Sequence, residues 1–175
     1  MCGPVWQTKE LLKKVIKKAH DHNVCVVVDG AQQAPFEYVD LRDCNPDFYM
    51  YSAHKMCGPQ GVGVLFVNHA TQLQLSPALV GGGTVTSVTS ELSEFRDGAR
   101  AFEAGTPPVL PIIAWNEVQQ WSASQVDVEQ EQQRLAGLIG MIVERVATIP
   151  GVRVLGNVSL LKSFGHLVSL VVDDV

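Results

Sequence analysis

The chain has 175 residues, enough to bury a core, with 46% hydrophobic and 18% charged residues, a balance that excludes intrinsic disorder. Its net charge of -5 leaves no basic footprint for nucleic acid and no stripe for an anionic membrane. The one basic run, Lys13, Lys14, Lys17 and Lys18, falls on the polar side of a helical pattern and reads as a solvated face.

In chain order, Thr8 is placed to cap a helix over 8–22, with Leu11, Leu12, Val15, Ile16 and Ala19 on one face and Asn23 as its stop. A nearly all-apolar, β-branched strand follows over 24–29, a pattern typical of strands buried on both faces of a parallel sheet. Further strands are predicted over 47–52, after the turn Asp43-Cys-Asn-Pro, and over 62–67, after a glycine-rich turn. Residues 76–108 carry glycine, serine, threonine and proline without periodicity, and so long a stretch is usually functional. A helix is predicted from Pro111 to about Ser122. A longer amphipathic one runs over 127–148 and is ended by Pro150-Gly151. Two strand-like pieces, 152–155 and 167–172, complete the chain, which contains no internal repeat.

The apolar runs at 24–28, 138–143 and 167–172 are far shorter than the ~20 residues of a membrane span, and 1–6 lack the pattern of a signal peptide. Cys2, Cys25, Cys44 and Cys57 are scattered without a C-x-x-C pair, which points to a reducing compartment such as the cytoplasm. Their spacings to His20, His22 and His54 match no metal-ligand pattern, so no metal site is expected.

Chemistry concentrates in three clusters. The first, VVVDGAQ, ends a strand with Asp29 and Gln32, and ligands of open α/β sheets sit beyond the carboxyl ends of strands. By itself Asp29 reads more readily as a loop aspartate bound to local amides. The second, SAHK, ends another strand. A lysine that attacks an aldehyde must be positioned by a rigid element and partly desolvated, and Ser52 and His54 flank Lys55 with donors suited to phosphate. A Ser/His/Asp hydrolase is the weaker reading, because Ser52 and His54 are two residues apart and no G-x-S-x-G elbow occurs. The third, GPQGVGVLFV, has neither the ending of a P-loop nor the glycine order of a dinucleotide fold, so its glycines serve the turn after Lys55.

Taken in order, VVVDGAQ, DFYMYSAHKMCGPQGVGVLFV, GGGT at 81–84 and FEAGTP at 102–107 resemble the class V aminotransferase family of fold-type I pyridoxal-phosphate enzymes. Within it they are most similar to the SufS-like cysteine desulfurase and selenocysteine lyase group. The resemblance implies an α/β fold: a partial large-domain sheet with flanking helices, followed by the start of an α+β small domain. The expected division is 1–122 for the large, cofactor-binding part and 127–175 for the connecting helix and small domain. It implies pyridoxal 5'-phosphate as cofactor, with Lys55 as the Schiff-base lysine and proton carrier, and Asp29 on the pyridine nitrogen. Gln32 would bond the phenolic oxygen, Ser52 and His54 would bind the phosphate, and Thr106 would reach the phosphate of a neighbouring subunit. The implied partners are L-cysteine or a similar amino acid, a second copy of the chain through the Gly82/Thr106 region, and a sulfur-acceptor protein. In the family a ring-stacking histidine and a phosphate loop precede the segment matched here, and the persulfide cysteine and carboxylate-binding arginine follow it. This chain, expected to be a fragment, is therefore expected to be inactive alone. Cys57 falls at a structural position and is not expected to take the sulfur. Alternatives left open are another class V enzyme (aminotransferase, epimerase or selenocysteine lyase) and a non-catalytic remnant or interaction module.

Overall fold

The computed structural model describes residues 9–173; the expected cap Thr8, Cys2 and the opening segment lie outside the described residues. The chain divides into two compact units. One gathers 27–32 and 46–122; the other gathers the residues up to Val26, 33–45 and 123–175.

The first of these units is built on a three-stranded sheet in the order β1 (Val27–Asp29), β2 (Phe48–Ser52), β3 (Gly63–Val67). β1 and β2 are parallel, with Val27 opposite Phe48 and Asp29 opposite Met50; β2 and β3 are antiparallel, with Ser52 opposite Gly63. β1 is shorter than the apolar run predicts. The register starts at Val27 and Phe48, and the Val24 N–H turns back to the Ala19 carbonyl instead, at 2.9 Å. Nor is β1 buried on both faces: Val27 is 58% exposed, and Leu65, across the sheet on the same face, is 59% exposed. The opposite face carries Tyr49, which is buried, and Tyr51, with ring centroids 6.0 Å apart. A short helix, His69–Gln72, follows β3. Its N-cap is Asn68, and Thr71 Oγ donates to Asp47 at 2.9 Å, which ties the helix to the base of β2.

Residues 76–108 are more regular than their composition suggests. They hold an antiparallel hairpin, β4 (Val85–Val88) with β5 (Ser93–Phe95), and a single 3-10 turn at Gly98–Ala101. The hairpin escapes pattern recognition because nearly every residue of both strands is exposed, so there is no buried face to impose alternation. The helix Val109–Gln125 closes the unit, longer than predicted at both ends. Pro111 sits in its first turn, where a missing N–H costs no helical bond.

In the other unit a helix spans Lys9–His20, with Leu12 and Ile16 buried, and Asn23 adopts the left-handed conformation (φ 55°) that ends such a helix. Lys13 pairs with Asp43 of the short helix Leu41–Cys44. The amphipathic helix Val128–Val146 starts as predicted at Asp127, whose carboxylate accepts the Gln130 N–H at 3.0 Å. Its Ile139 and Val143 pack with Leu161 of an unpredicted helix, Val158–Phe164, against Val154 and Val168. Asn157 caps that helix through the Leu160 N–H. The last two strands, β6 (Val152–Leu155) and β7 (Ser169–Val172), pair antiparallel.

His166 is half-buried and stacks on Phe36, ring centroids 4.4 Å apart and 22° from parallel. Burial lowers its pKa below the ordinary 6.5. The unfolded chain therefore takes up a proton near pH 6.5 that the folded chain refuses, and stability falls as the pH drops below that value. Urea midpoints measured between pH 7.5 and 5.5 are expected to decline, and His166→Phe, which keeps the stack without the titrating nitrogen, is expected to flatten that decline.

Candidate cofactor site

Parallel pairing carries the ends of β1 and β2 to the same edge of the sheet. Asp29 is the last residue of β1 and Ser52 the last of β2. Because Asp29 lies opposite Met50, it shares a sheet face with Met50 and Ser52. The ladder runs one residue past the strand, where the Gly30 N–H donates to the Met50 carbonyl at 2.8 Å. Gly30 is buried against the Tyr49 ring so closely that a Cβ there would lie 2.1 Å from Tyr49 Cζ. The chain then turns, and the Ala31 N–H donates to Asp29 Oδ1 at 3.0 Å, which fixes the carboxylate while it remains exposed. This local bond is the one expected of a loop aspartate, and it leaves Oδ2 for a ligand. Gln32 lies in the same turn, exposed.

Ser52 is extended (φ −116°, ψ 138°) and half-buried at the head of a 3-10 turn, Ala53–Met56. That turn buries Ala53 completely and directs His54 and Lys55 outward. Lys55 is exposed, so the partial desolvation expected of it is not supplied among the described residues. Cys57 ends the turn in the left-handed conformation (φ 58°), its N–H donating to the Ala53 carbonyl. It has a structural place in the turn. Tyr51, on the other face of the strand, is pushed above its ordinary pKa by desolvation and stays protonated at neutral pH.

The glycine motif and the FEAGTP motif, apart in sequence, meet. The Gly105 N–H donates to the Gly82 carbonyl at 2.8 Å, and a Cβ on Gly81 would lie 3.3 Å from the Ala104 Cβ. Thr84 is fully buried and folds the glycine loop on itself, its Oγ1 donating to the Gly81 carbonyl at 2.8 Å. Gly83 (φ 89°) and Gly105 (φ 86°) take backbone conformations that side chains resist. Thr106 follows directly and is exposed. The structure thus brings Asp29, Ser52, His54 and Lys55 to one sheet edge, with Gln32 in the adjoining turn, and sets Thr106 on the glycine loop.

Sequence reasoning passed over Gly30, Thr84 and Trp115. Gly30 had a visible signal, a glycine directly after a strand-ending aspartate. Thr84 closes the GGGT motif, but nothing in its spacing announces burial.

The family model described as Aminotransferase class-V matches residues 8–175. A probable cysteine desulfurase of Vibrio cholerae is 35% identical over 168 residues, 96% of this chain and 40% of its own length. Among solved structures, the cysteine desulfurase CsdA from Escherichia coli is 30% identical with a TM-score of 0.82, over 94% of this chain and 40% of that one. A C-DES mutant with glycine covalently linked to its PLP cofactor superposes at a TM-score of 0.77, over 93% of this chain and 43% of that one. At 24% identity this is a likeness of fold alone. The chain spans about two-fifths of the length of the curated relatives that it matches almost end to end.

Gly30→Ala is expected to destabilise the chain by about 1–3 kcal/mol, since the added methyl meets a buried ring with no room to yield. Urea unfolding followed by tyrosine and tryptophan fluorescence measures it, and an unchanged midpoint would show that Tyr49 yields.

Proposed function

The chain belongs to the class V aminotransferase family, and on that premise we propose that it carries the cofactor-binding residues of a pyridoxal-phosphate-dependent cysteine desulfurase. The observation that supports this most is the convergence of Asp29 with Ser52, His54 and Lys55 at the carboxyl ends of two adjacent parallel strands. In a full-length protein the substrate would be L-cysteine: a cysteine thiolate of the enzyme would take its sulfur as a persulfide as the C–S bond breaks, leaving alanine, and would pass the sulfur on to an acceptor protein. Two copies of that protein would pair through the Gly82/Thr106 region, in the cytoplasm or another reducing compartment; this chain alone is expected to release no sulfide from cysteine.

The donor set suits the cofactor chemically. Asp29, its Oδ1 already held by the Ala31 N–H, presents a fixed carboxylate for a protonated ring nitrogen. Gln32 offers an amide donor to the ring oxygen. Ser52 and His54 offer a hydroxyl and a ring N–H to the phosphate, and Thr106 offers a hydroxyl to the phosphate in the second copy. When bound, pyridoxal phosphate supplies an electron sink for negative charge developing on the substrate. Lys55 would hold the cofactor through Nζ and, once released from it, would carry the substrate's α-proton on the same nitrogen. The short turn that carries it limits where Nζ reaches.

In a full-length version of this protein, borohydride reduction with added pyridoxal phosphate is expected to fix the cofactor on Lys55 and on no other lysine, whereas the 175-residue chain is expected to bind it weakly. Peptide mapping checks this, and a label on Lys13 or Lys162 in its place would sink the assignment.

In a protein that turns over cysteine, Asp29→Asn is expected to preserve folding while sulfide release falls by about 10²–10³, the usual loss when a charge facing developing charge is removed. Near-normal release would mean that Asp29 has another job.

A further inference from the structure

The turn that carries His54 and Lys55 is too short to hold its own shape. Four residues of 3-10 helix contribute few and poorly aligned hydrogen bonds. Here the Ala53 carbonyl accepts from both Cys57 and Gly58, the latter at 2.8 Å, and the Ala53 N–H reaches the Val62 carbonyl at 3.0 Å. Behind this turn lies one large side chain. Trp115, from the helix Val109–Gln125, is 9% exposed, and its ring fills the space a side chain at 58 would need. A Cβ on Gly58 would lie 2.7 Å from Trp115 Cδ1, 2.8 Å from the Ala53 carbonyl oxygen and 3.0 Å from the Ala53 Cβ, so indole, glycine and alanine make one packed layer. The same indole meets Tyr51 edge-on, centroids 5.9 Å apart at 72°. One ring therefore braces the strand that enters the turn and the glycine that leaves it. Its buried Nε1–H finds no acceptor among the described residues, so the contact is packing alone.

We propose that Trp115 is a positioning residue for Lys55, fixing the 53–58 turn through Gly58 and Tyr51 without touching cofactor or substrate. The proposal rests on the reading of Lys55 as the cofactor lysine. The indole excludes water from the back of the turn and removes the alternative paths that a glycine would otherwise allow. A misplacement of a reacting group by about 1 Å costs on the order of 10²-fold in rate.

The test uses a full-length protein carrying this segment, with two readouts: amide hydrogen exchange over 53–58 without cofactor, and the rate at which borohydride traps added pyridoxal phosphate on Lys55. Trp115→Ala is expected to lose protection over 53–58 and to slow trapping by about 10²-fold. Trp115→Phe keeps an aromatic ring behind the turn while giving up part of the indole's bulk and an N–H without an acceptor, so it is expected to restore most of both readouts. Gly58→Ala, which pushes the turn off the indole, is expected to resemble Trp115→Ala while leaving Trp115 in place. Unchanged protection in a folded Trp115→Ala protein overturns the proposal. If Trp115→Ala does not fold, unchanged protection in Gly58→Ala does the same. A wild-type full-length protein that takes no label on Lys55 sinks the cofactor reading instead, and exchange still decides whether Trp115 holds the turn.

Discussion

Every arrangement described around Lys55 depends on one register. β1 and β2 run parallel with Asp29 opposite Met50, and the Gly30 N–H continues that ladder onto the Met50 carbonyl. Side chains alternate strictly along a strand, so a slip of one residue would send Asp29 and Ser52 to opposite faces of the sheet. Only three residues of β1 pair, which is little to hold a register. Gly30 adds the missing constraint, because its lack of a side chain lets the backbone pass against the Tyr49 ring. Tyr49 belongs to β2, so the same contact that admits the turn after Asp29 also locks the two strands in phase.

A second constraint works on the other half of the site. The GGGT and FEAGTP motifs are separate in sequence but form one element in space, tied by the Gly105 N–H to the Gly82 carbonyl. Thr84 is the pin: fully buried, it satisfies its hydroxyl on the glycine loop while its own carbonyl accepts the Arg96 N–H at 2.9 Å. A buried hydroxyl without these partners would cost more than the burial returns. Both motifs are thus legible as motifs for a backbone reason before any ligand is considered.

How far the fold could be read in advance depended on whether a residue's neighbours were local. The long helices were legible because a cap such as Asp127 and an apolar stripe such as Ile139, Ile142 and Val146 lie within one segment. The extent of β1 was not, because it is set by where β2 begins: the register starts at Val27 opposite Phe48. The helix Val158–Phe164 was hidden by its brevity, and its cap, Asn157, resembles any loop asparagine. Within the site, the chemistry of Asp29, Ser52, His54 and Lys55 was readable from residue type and strand ends. Their support was not. Trp115 carries no signal in its own neighbourhood, since its helix has no apolar stripe: Leu110 and Ile113 are 79% and 54% exposed, and polar residues follow from Asn116. Its partners Tyr51 and Gly58 are distant in sequence.

The exposed sheet face bearing Val27 and Leu65 has a consequence for behaviour in solution. Apolar surface attracts its like through water, and near room temperature that attraction is almost wholly entropic. It strengthens on warming and weakens on cooling, the reverse of an attraction built on hydrogen bonds or ion pairs. With both side chains more than half exposed on one face, pair attractions between chains of this sequence have a component that grows with temperature. Light scattering from a chilled sample would report weaker interactions than from the same sample warmed, well before any melting. Sulfate would deepen the attraction and urea relax it, whereas a moderate change in sodium chloride would leave that component nearly untouched.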